Sequence, residues 1–142
     1  MHELSHCATT ACEVAAEDAY AFLADPKRLG AWALGCWEAQ PIAEDTVRGT
    51  SLFDGRPAVV RVAGSAASLT VDYFIGGDDG TMTPRISARV VPGPVVGRSA
   101  RECLVTVLAW RAVGMSDDRW ARVVASHEAE ILILKARIEG AS

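Results

Sequence analysis

The chain has 142 residues, the length of one ordinary domain with a single core, and we expect one domain spanning 1–142. Its formal net charge of −4, with 50% hydrophobic and 23% charged residues, is typical of a soluble globular protein and argues against binding to nucleic acid. No apolar run approaches the ~20 residues that cross a membrane, and no secretory signal is visible. We therefore expect a cytoplasmic protein without a membrane span.

The chain begins with the string "HELSH", from His2 to His6, which fits the H-E-x-x-H signature of zinc peptidases. That signature needs a helix, because only helical spacing brings two histidines four residues apart to one metal. The threonine-rich segment from Leu4 to Glu13 instead favours a strand, on which the two histidines would lie ~13 Å apart. We predict that the string is the frayed start of a first strand and holds no metal.

Two short helices are predicted after this strand. The segment "VAAEDAYAFLADP" places Ala16, Ala19 and Tyr20 on one apolar side before Asp25-Pro26 stops the helix. Asp25 can cap a second short helix, because proline loses nothing at a first helical position, and this helix runs out at Gly30.

Six further strands are predicted from β-branched segments separated by turn signals, at 36–43, 46–53, 57–64, 69–76, 84–91 and 102–113. Asp54-Gly55 is the strongest hairpin signal, while "GGDDG" and "PGPVVG" provide looser connections. Consecutive antiparallel pairing is the economical arrangement of these strands.

One long helix is predicted from Asp117 to Glu139, because this segment lacks glycine and proline, Ser116 or Asp117 can cap its start, and Gly140 follows it. Spacings of four and three place its apolar residues on one stripe, which Val123 widens and which needs a sheet to cover. The members of the stripe are Trp120, Val124, His127, Ile131, Leu134 and Ile138.

This order of elements resembles the START-like superfamily, also called SRPBCC, which includes polyketide cyclase-like proteins. The most specific local similarity is "LADPKRLGAWA", residues 23–33, which is similar to the family's junction between the short helices and the second strand. The resemblance implies an α+β helix-grip fold, in which a seven-stranded curved antiparallel sheet grips the C-terminal helix. It also implies a cavity between them for an apolar ligand such as a lipid, a sterol or a polyketide.

Composition is compatible with such a cavity but does not require it. Aromatic residues are 6% of the chain, so few large side chains can span the gap between sheet and helix. Small residues would either leave a hollow or let sheet and helix close together. We expect the hollow.

His127 is the best single candidate for chemistry, because it lies in the middle of the stripe and should point inward. An imidazole there would serve as a general acid or base, or would orient a ligand. The alternative is a core histidine that hydrogen-bonds to a backbone or hydroxyl group of a strand.

Further ligand contacts are expected from aromatic and apolar residues around His127. Tyr73 falls on the apolar phase of its strand, Trp110 lies on a strand whose two phases are both apolar, and Trp32 and Trp120 lie at helix ends. Both of these tryptophans are as compatible with core positions as with the mouth of a cavity. The complete expected set is Trp32, Tyr73, Trp110, Trp120, Val124, His127 and Ile131.

The charged residues, the cysteines and the known sequence motifs indicate which other kinds of site are expected. Five arginines between residues 81 and 111 face a single glutamate, which suits either an anionic ligand or a solvated outer face, and Arg61, Asp72 and Arg89 are expected outside. Four cysteines, Cys7, Cys12, Cys36 and Cys103, form no C-x-x-C pair and are predicted to be buried free thiols. Neither a nucleophile motif nor a phosphate loop occurs, so no cofactor is expected.

Two classes of function follow from these observations. The first is a binder of a small apolar or aromatic ligand, with or without catalysis of an aldol-type cyclisation or a dehydration, as in the family's polyketide cyclases. The second is a partner-binding module of the chaperone-activator type, which would have a filled interior and an apolar patch on its outer surface. Mean hydropathy of +0.17 is slightly positive for so small a domain, which leaves room for a homodimer.

Overall fold

The computed structural model describes residues 3–77 and 80–141, which form one antiparallel sheet, two α-helices and three short 3-10 helices. The strands are β1 (Ser5–Cys12), β2 (Trp37–Pro41), β3 (Thr46–Thr50), β4 (Pro57–Ser65), β5 (Thr70–Gly76), β6 (Met82–Pro92) and β7 (Cys103–Trp110). The helices are α1 (Ala16–Ala24) and α2 (Asp117–Ala141), and the 3-10 helices are Pro26–Ala31, Leu34–Cys36 and Gly93–Val96. His2 of the N-terminal string and Asp78-Asp79 of the "GGDDG" connection lie outside the described residues.

The seven strands form a single curved sheet in the order β1-β7-β6-β5-β4-β3-β2. Consecutive strands from β2 to β7 pair antiparallel as predicted, and β1 pairs with β7. The short helices follow β1, and the long helix α2 follows β7. The predicted α+β helix-grip architecture is therefore confirmed.

The last two residues of the N-terminal string, Ser5 and His6, lie on β1, as predicted, and Glu3 and Leu4 precede the strand. His6 pairs with Ala109 of β7, and the alternation along β1 turns His6, Ala8 and Cys12 to the inner side. The junction after β1 is also as expected, because the Asp25 carboxylate accepts a hydrogen bond from the Lys27 N–H at 3.0 Å and caps the 3-10 helix Pro26–Ala31. The 3-10 helix Leu34–Cys36 was not predicted.

The hairpin at Asp54-Gly55 is wider than predicted. Strand β3 ends at Thr50 rather than at residue 53, and residues 51–56 form a loop closed by a 2.8 Å hydrogen bond from the Ser51 N–H to the Arg56 carbonyl. Gly55 has a φ of 72°, in the left-handed region that favours glycine. We call residues 51–56 the mouth loop.

The structure decides which phase of β7 faces inward. Cys103, Val105, Val107 and Ala109 are buried, whereas Trp110, on the opposite phase, is 40% exposed. Asp72 and Arg89 are exposed as predicted, and Arg61 stacks its guanidinium over the Phe74 ring at 4.0 Å. All four cysteines are free thiols, as predicted, but Cys7 is exposed rather than buried, because it lies on the outward phase of β1.

Helix α2 lies across the inner side of the sheet. The Ser116 hydroxyl accepts a 3.1 Å hydrogen bond from the Arg119 N–H at its start, and the helix continues through Gly140 to Ala141, two residues beyond the predicted end. Leu134 and Ile138 are almost completely buried. No described helix is long and apolar enough to span a membrane.

Helix α2 also contacts the free edge of β1. The Lys135 ammonium donates to the Ala11 carbonyl at 2.5 Å and to the Glu139 carboxylate at 2.8 Å. The same carboxylate accepts from the Glu13 N–H at 2.8 Å. The charged pair thereby satisfies backbone groups that no neighbouring strand reaches.

We expect Gly30→Ala to destabilise the fold, because a Cβ at residue 30 would overlap the backbone nitrogen of Ala39. The expected loss is about 1–3 kcal/mol in the free energy of unfolding, measured by urea denaturation. Gly140→Ala is the matched control, since a Cβ there meets open space. Equal stability of the two variants would contradict the assignment of Gly30 as a packing constraint.

Candidate ligand cavity

A cavity of about 380 Å³ lies between the sheet and the N-terminal half of α2. This volume falls within the ~300–1,000 Å³ of ordinary ligand sites. Its walls come from the two 3-10 helices after α1, from strands β4 to β7, from the mouth loop and from α2. Apolar wall residues include Leu29, Trp32, Cys36, Val60, Ile75, Ile86 and Val107.

Helix α2 presents a mixed polar and apolar face to the cavity. Arg119, Val123, His127 and Glu130 line it, at spacings of four, four and three residues, which place all four side chains on one side of a helix. Three of these four residues carry titratable or charged groups. The helix therefore supplies most of the chemistry on this wall.

The ring of His127 is buried at 4% exposure. Its Nδ1 lies 2.7 Å from Nδ1 of His6, and its Nε2 has no hydrogen-bond partner among the described residues. Burial and, to a smaller extent, His6 lower the pKa of His127 to about 4, and the carboxylate of Glu128 acts in the opposite direction. The imidazole is therefore neutral near pH 7.

Glu130 is the second titratable group of the cavity wall. Burial raises its pKa to about 7, although the Leu34 N–H, 3.4 Å from its carboxylate, favours the charged form. Near neutral pH the side chain thus interchanges between an acid that can donate a proton and a carboxylate that can accept one. Its neighbour on the same face, His127, stays neutral over the same range.

Arg119 connects α2 to the mouth loop. Its guanidinium lies over the Phe53 ring at 4.8 Å, and its Nη1 is 3.5 Å from the Asp54 carboxylate. Its Nε is buried and has no hydrogen-bond partner among the described residues. The cavity wall therefore contains one N–H donor, on Arg119, and one ring nitrogen, on His127, that a ligand can satisfy.

Arg85 of the arginine-rich segment also lines the cavity. Its guanidinium donates to the Trp110 carbonyl, at 2.9 Å from Nη2 and 3.3 Å from Nε. Burial lowers the pKa of Arg85, but an arginine stays charged at any physiological pH. Arg89, Arg98 and Arg101 of the same segment are exposed. Arg85 is therefore available to an anionic ligand, whereas these three arginines lie on the solvated outer surface.

Tyr73 and Trp32 form an aromatic corner of the wall. The Tyr73 hydroxyl donates to the Leu23 carbonyl at 2.7 Å, and burial raises the pKa of this phenol. The two rings meet edge to face, with centroids 5.7 Å apart and planes at 75°. The hydroxyl is thus committed to the fold, and the rings present apolar surface to the cavity.

Four of the seven residues expected from the sequence line the cavity, namely Trp32, Tyr73, Trp110 and His127. Trp120, Val124 and Ile131 do not belong to the described wall. Val123 lines the cavity at the position that was expected for Val124. The two side chains point about 100° apart around the helix axis. Ile131 lies in the packed core, and Trp120 is buried away from it, so neither side chain reaches the hollow.

Sequence analysis missed Arg119, Glu130 and His6. Arg119 and Glu130 lie eight residues before and three residues after His127, on the same face of α2. A charged residue on the inward face of the helix could therefore have indicated a place in the cavity wall. His6 had no such signal, because it meets His127 only through the pairing of β1 with β7. Within residues 3–77 and 80–141, no cluster of three or more histidine, cysteine, aspartate or glutamate side chains is arranged to hold a metal ion.

No family model matches the sequence, and no curated protein sequence matches it significantly. Solved structures do match. A START superfamily protein from Mycobacterium smegmatis has a TM-score of 0.68 at 15% identity, with 99% of this chain and 100% of that chain covered.

Two other similar structures have different descriptions. The di-domain ARO/CYC BexL from the BE-7585A biosynthetic pathway has a TM-score of 0.67 at 19% identity, over 98% of this chain and 47% of that one. The Aha1 dimer from Colwellia psychrerythraea has a TM-score of 0.66 at 16% identity, over 96% of this chain and 97% of that one. At such low identity these matches establish the fold alone, which is START-like, as the resemblance implied.

Glu130→Gln tests the electrostatics of the cavity. Because the folded-state pKa of about 7 exceeds the ordinary 4.5, the folded protein binds more protons than the unfolded chain between these values. The stabilisation is complete below 4.5 and is lost as pH rises through 7. Urea denaturation should show the variant gaining about 1–3 kcal/mol relative to wild type between about pH 5 and pH 8.

The exposed Glu44, in the turn after β2, provides the control variant Glu44→Gln. It should show no such pH-dependent gain. A constant difference between Glu130→Gln and wild type across this range would contradict the raised pKa.

Proposed function

We propose that this START-like chain binds a small apolar or aromatic molecule, of the lipid, sterol or polyketide kind, in the cavity between the sheet and α2. The main supporting observation is a cavity of about 380 Å³ lined by Arg119 and His127, each of which has a buried polar atom, Nε and Nε2 respectively, without a partner among the described residues. A buried polar atom without a partner costs about 1–3 kcal/mol, which a suitable ligand would recover.

The wall chemistry narrows the ligand class. The apolar side chains of β4–β7 and the Trp32–Tyr73 corner favour a flat or branched hydrocarbon body. The cationic groups of Arg85 and Arg119 favour a carbonyl, carboxylate or phenolate at the polar end. We therefore expect an apolar molecule with at least one oxygen function, rather than a plain hydrocarbon.

The second part of the proposal is that the chain catalyses a cyclisation or a dehydration of the bound molecule. Neutral His127 would accept a proton, and Glu130, with a pKa of about 7, would donate one. Two titratable groups whose environments drive their pKa values apart provide the acid and the base of such a reaction. The description of BexL as an ARO/CYC supports this chemistry, and the wall would hold the reactive conformer.

The partner-binding alternative has less support. It requires a filled interior, whereas this interior is hollow. The large exposed apolar side chains fall on several elements and loops: Leu4, Ile42, Leu52, Val95, Val96, Trp110, Val113 and Leu132. The similarity to the Aha1 dimer supports a common fold without favouring this function.

Native mass spectrometry and solvent extraction of protein purified from its own host test ligand binding. We expect a co-purified small molecule in wild type and in Val124→Trp. In Val123→Trp the bound fraction should fall by about tenfold or more, because the indole fills the cavity and overpacking costs ~1–3 kcal/mol.

The two valines are adjacent and both half-buried, so the comparison separates cavity filling from general damage to α2. Empty wild-type protein that also gives no thermal shift with fatty acids, sterols and polycyclic phenols would overturn ligand binding.

The catalytic part is tested by His127→Gln once the ligand is known to be converted. We expect kcat to fall by about 10²–10⁴, since a positioned acid or base contributes that factor, with the thermal midpoint of unfolding measured in parallel. Unchanged kcat would remove His127 from the mechanism and leave ligand binding intact.

A further inference from the structure

His127, His6 and Glu128 form a chain of hydrogen bonds that runs from the cavity to the surface. His127 Nδ1 lies 2.7 Å from His6 Nδ1, and His6 Nε2 lies 2.8 Å from the Glu128 carboxylate. The side chains of His6 and Glu128 are 13% and 62% exposed. Since Nδ1 of His127 faces His6 on β1, Nε2 at the other side of the ring is the atom turned to the cavity.

The chain fixes the position of every proton in it. An ionised carboxylate only accepts hydrogen bonds, so the nitrogen of His6 that contacts Glu128 carries a proton. A neutral imidazole has one N–H, and neutral His6 therefore has a lone pair on Nδ1. Nδ1 of His127 must then be the donor, which leaves a lone pair on its Nε2.

Protonation of His6 reverses this order. An imidazolium donates from both nitrogens, so Nδ1 of charged His6 donates to Nδ1 of His127. Neutral His127 then carries its single proton on Nε2. The atom that accepts a hydrogen bond in one state thus donates it in the other.

The surroundings of the two rings differ. The Glu128 carboxylate lies 2.8 Å from Nε2 of His6, whereas burial lowers the pKa of His127. The residue of β7 that pairs with His6 is the uncharged Ala109. The other charged groups of the cavity wall near its mouth and on α2 are Asp54, Arg56, Arg85, Arg119 and Glu130.

We propose that His6 is a positioning residue that sets whether Nε2 of His127 accepts or donates a hydrogen bond in the cavity. Neutral His6 selects ligands that carry a hydroxyl or phenol donor, and protonated His6 selects a carbonyl or carboxylate acceptor. This selectivity rests on the ligand binding proposed above. The proton positions do not, because they follow from the three side chains alone.

Long-range proton–nitrogen NMR of protein labelled in its histidine rings tests the proton positions without a ligand. At about pH 8, we expect Nδ1 of His127 to be protonated and its Nε2 to be unprotonated. The signals of His127 are assigned as those missing from the spectrum of His127→Gln. Over the pH range in which the same spectra show His6 taking up a proton, the proton of His127 should move to Nε2. A proton on Nε2 at pH 8, or no movement while His6 titrates, would overturn the proposal.

His6→Phe keeps a ring but removes both nitrogens, so the proton of His127 should appear on Nε2 at pH 8. If His6→Phe does not fold, Glu128→Gln, a substitution at an exposed position, tests the same hydrogen bonds. Its amide both donates and accepts, so a second His127 population protonated on Nε2 is expected. Glu44→Gln should match wild type, and a wild-type pattern in both test variants would refute the role of His6.

Binding of 2-naphthol and of 2-methoxynaphthalene, measured by calorimetry at about pH 8, tests the selectivity. Wild type should prefer the naphthol by about three- to tenfold, the worth of one hydrogen bond, and His6→Phe should lose this preference. Equal affinities in wild type would overturn the selectivity. If wild type binds neither probe, that result counts against the proposed function. The NMR experiment still tests the proton positions, because it needs no ligand.

Discussion

The architecture depends on how one helix covers a curved sheet. The C-terminal half of α2 packs closely through Leu134 and Ile138, whereas its N-terminal half presents Val123, His127 and Glu130 to the hollow. A helix cannot follow the curvature of the sheet along its whole length, so close packing at one end leaves space at the other. The mouth loop and the short helices wall off that space without filling it.

The polar residues of the cavity reduce their charge rather than pair it. Burial drives the pKa of His127 down and that of Glu130 up, and both shifts favour the neutral form. The charges that remain belong to the arginines, whose guanidinium groups keep contacts at the margin, with the Trp110 carbonyl for Arg85 and with Asp54 for Arg119. Below about pH 7, an apolar ligand would therefore meet uncharged side chains at His127 and Glu130 and cationic groups at Arg85 and Arg119.

Periodicity was sufficient to predict the strands, the long helix and the inward direction of His127, because each pattern spans many residues. It could not separate Val123 from Val124, since the rotation of α2 about its axis is set by contacts with the sheet. The prediction also extended β3 to residue 53, because the composition of residues 51–53 does not reveal that the strand ends at Thr50. The contact between His6 and His127 joins positions 121 residues apart in the sequence, beyond the reach of any local pattern.

The charged pair of α2 at the edge of β1 has a consequence for association between chains. An edge strand exposes backbone groups that can recruit a strand from another molecule, and natural sheets block such pairing with charges, prolines and irregular register. Lys135 occupies the Ala11 carbonyl near the end of β1, and Glu139 occupies the N–H of Glu13, one residue past the strand. At the opposite edge, β2 ends in Pro41 and has a shifted register. The sheet therefore has a distinct barrier at each edge against growing into a larger intermolecular sheet.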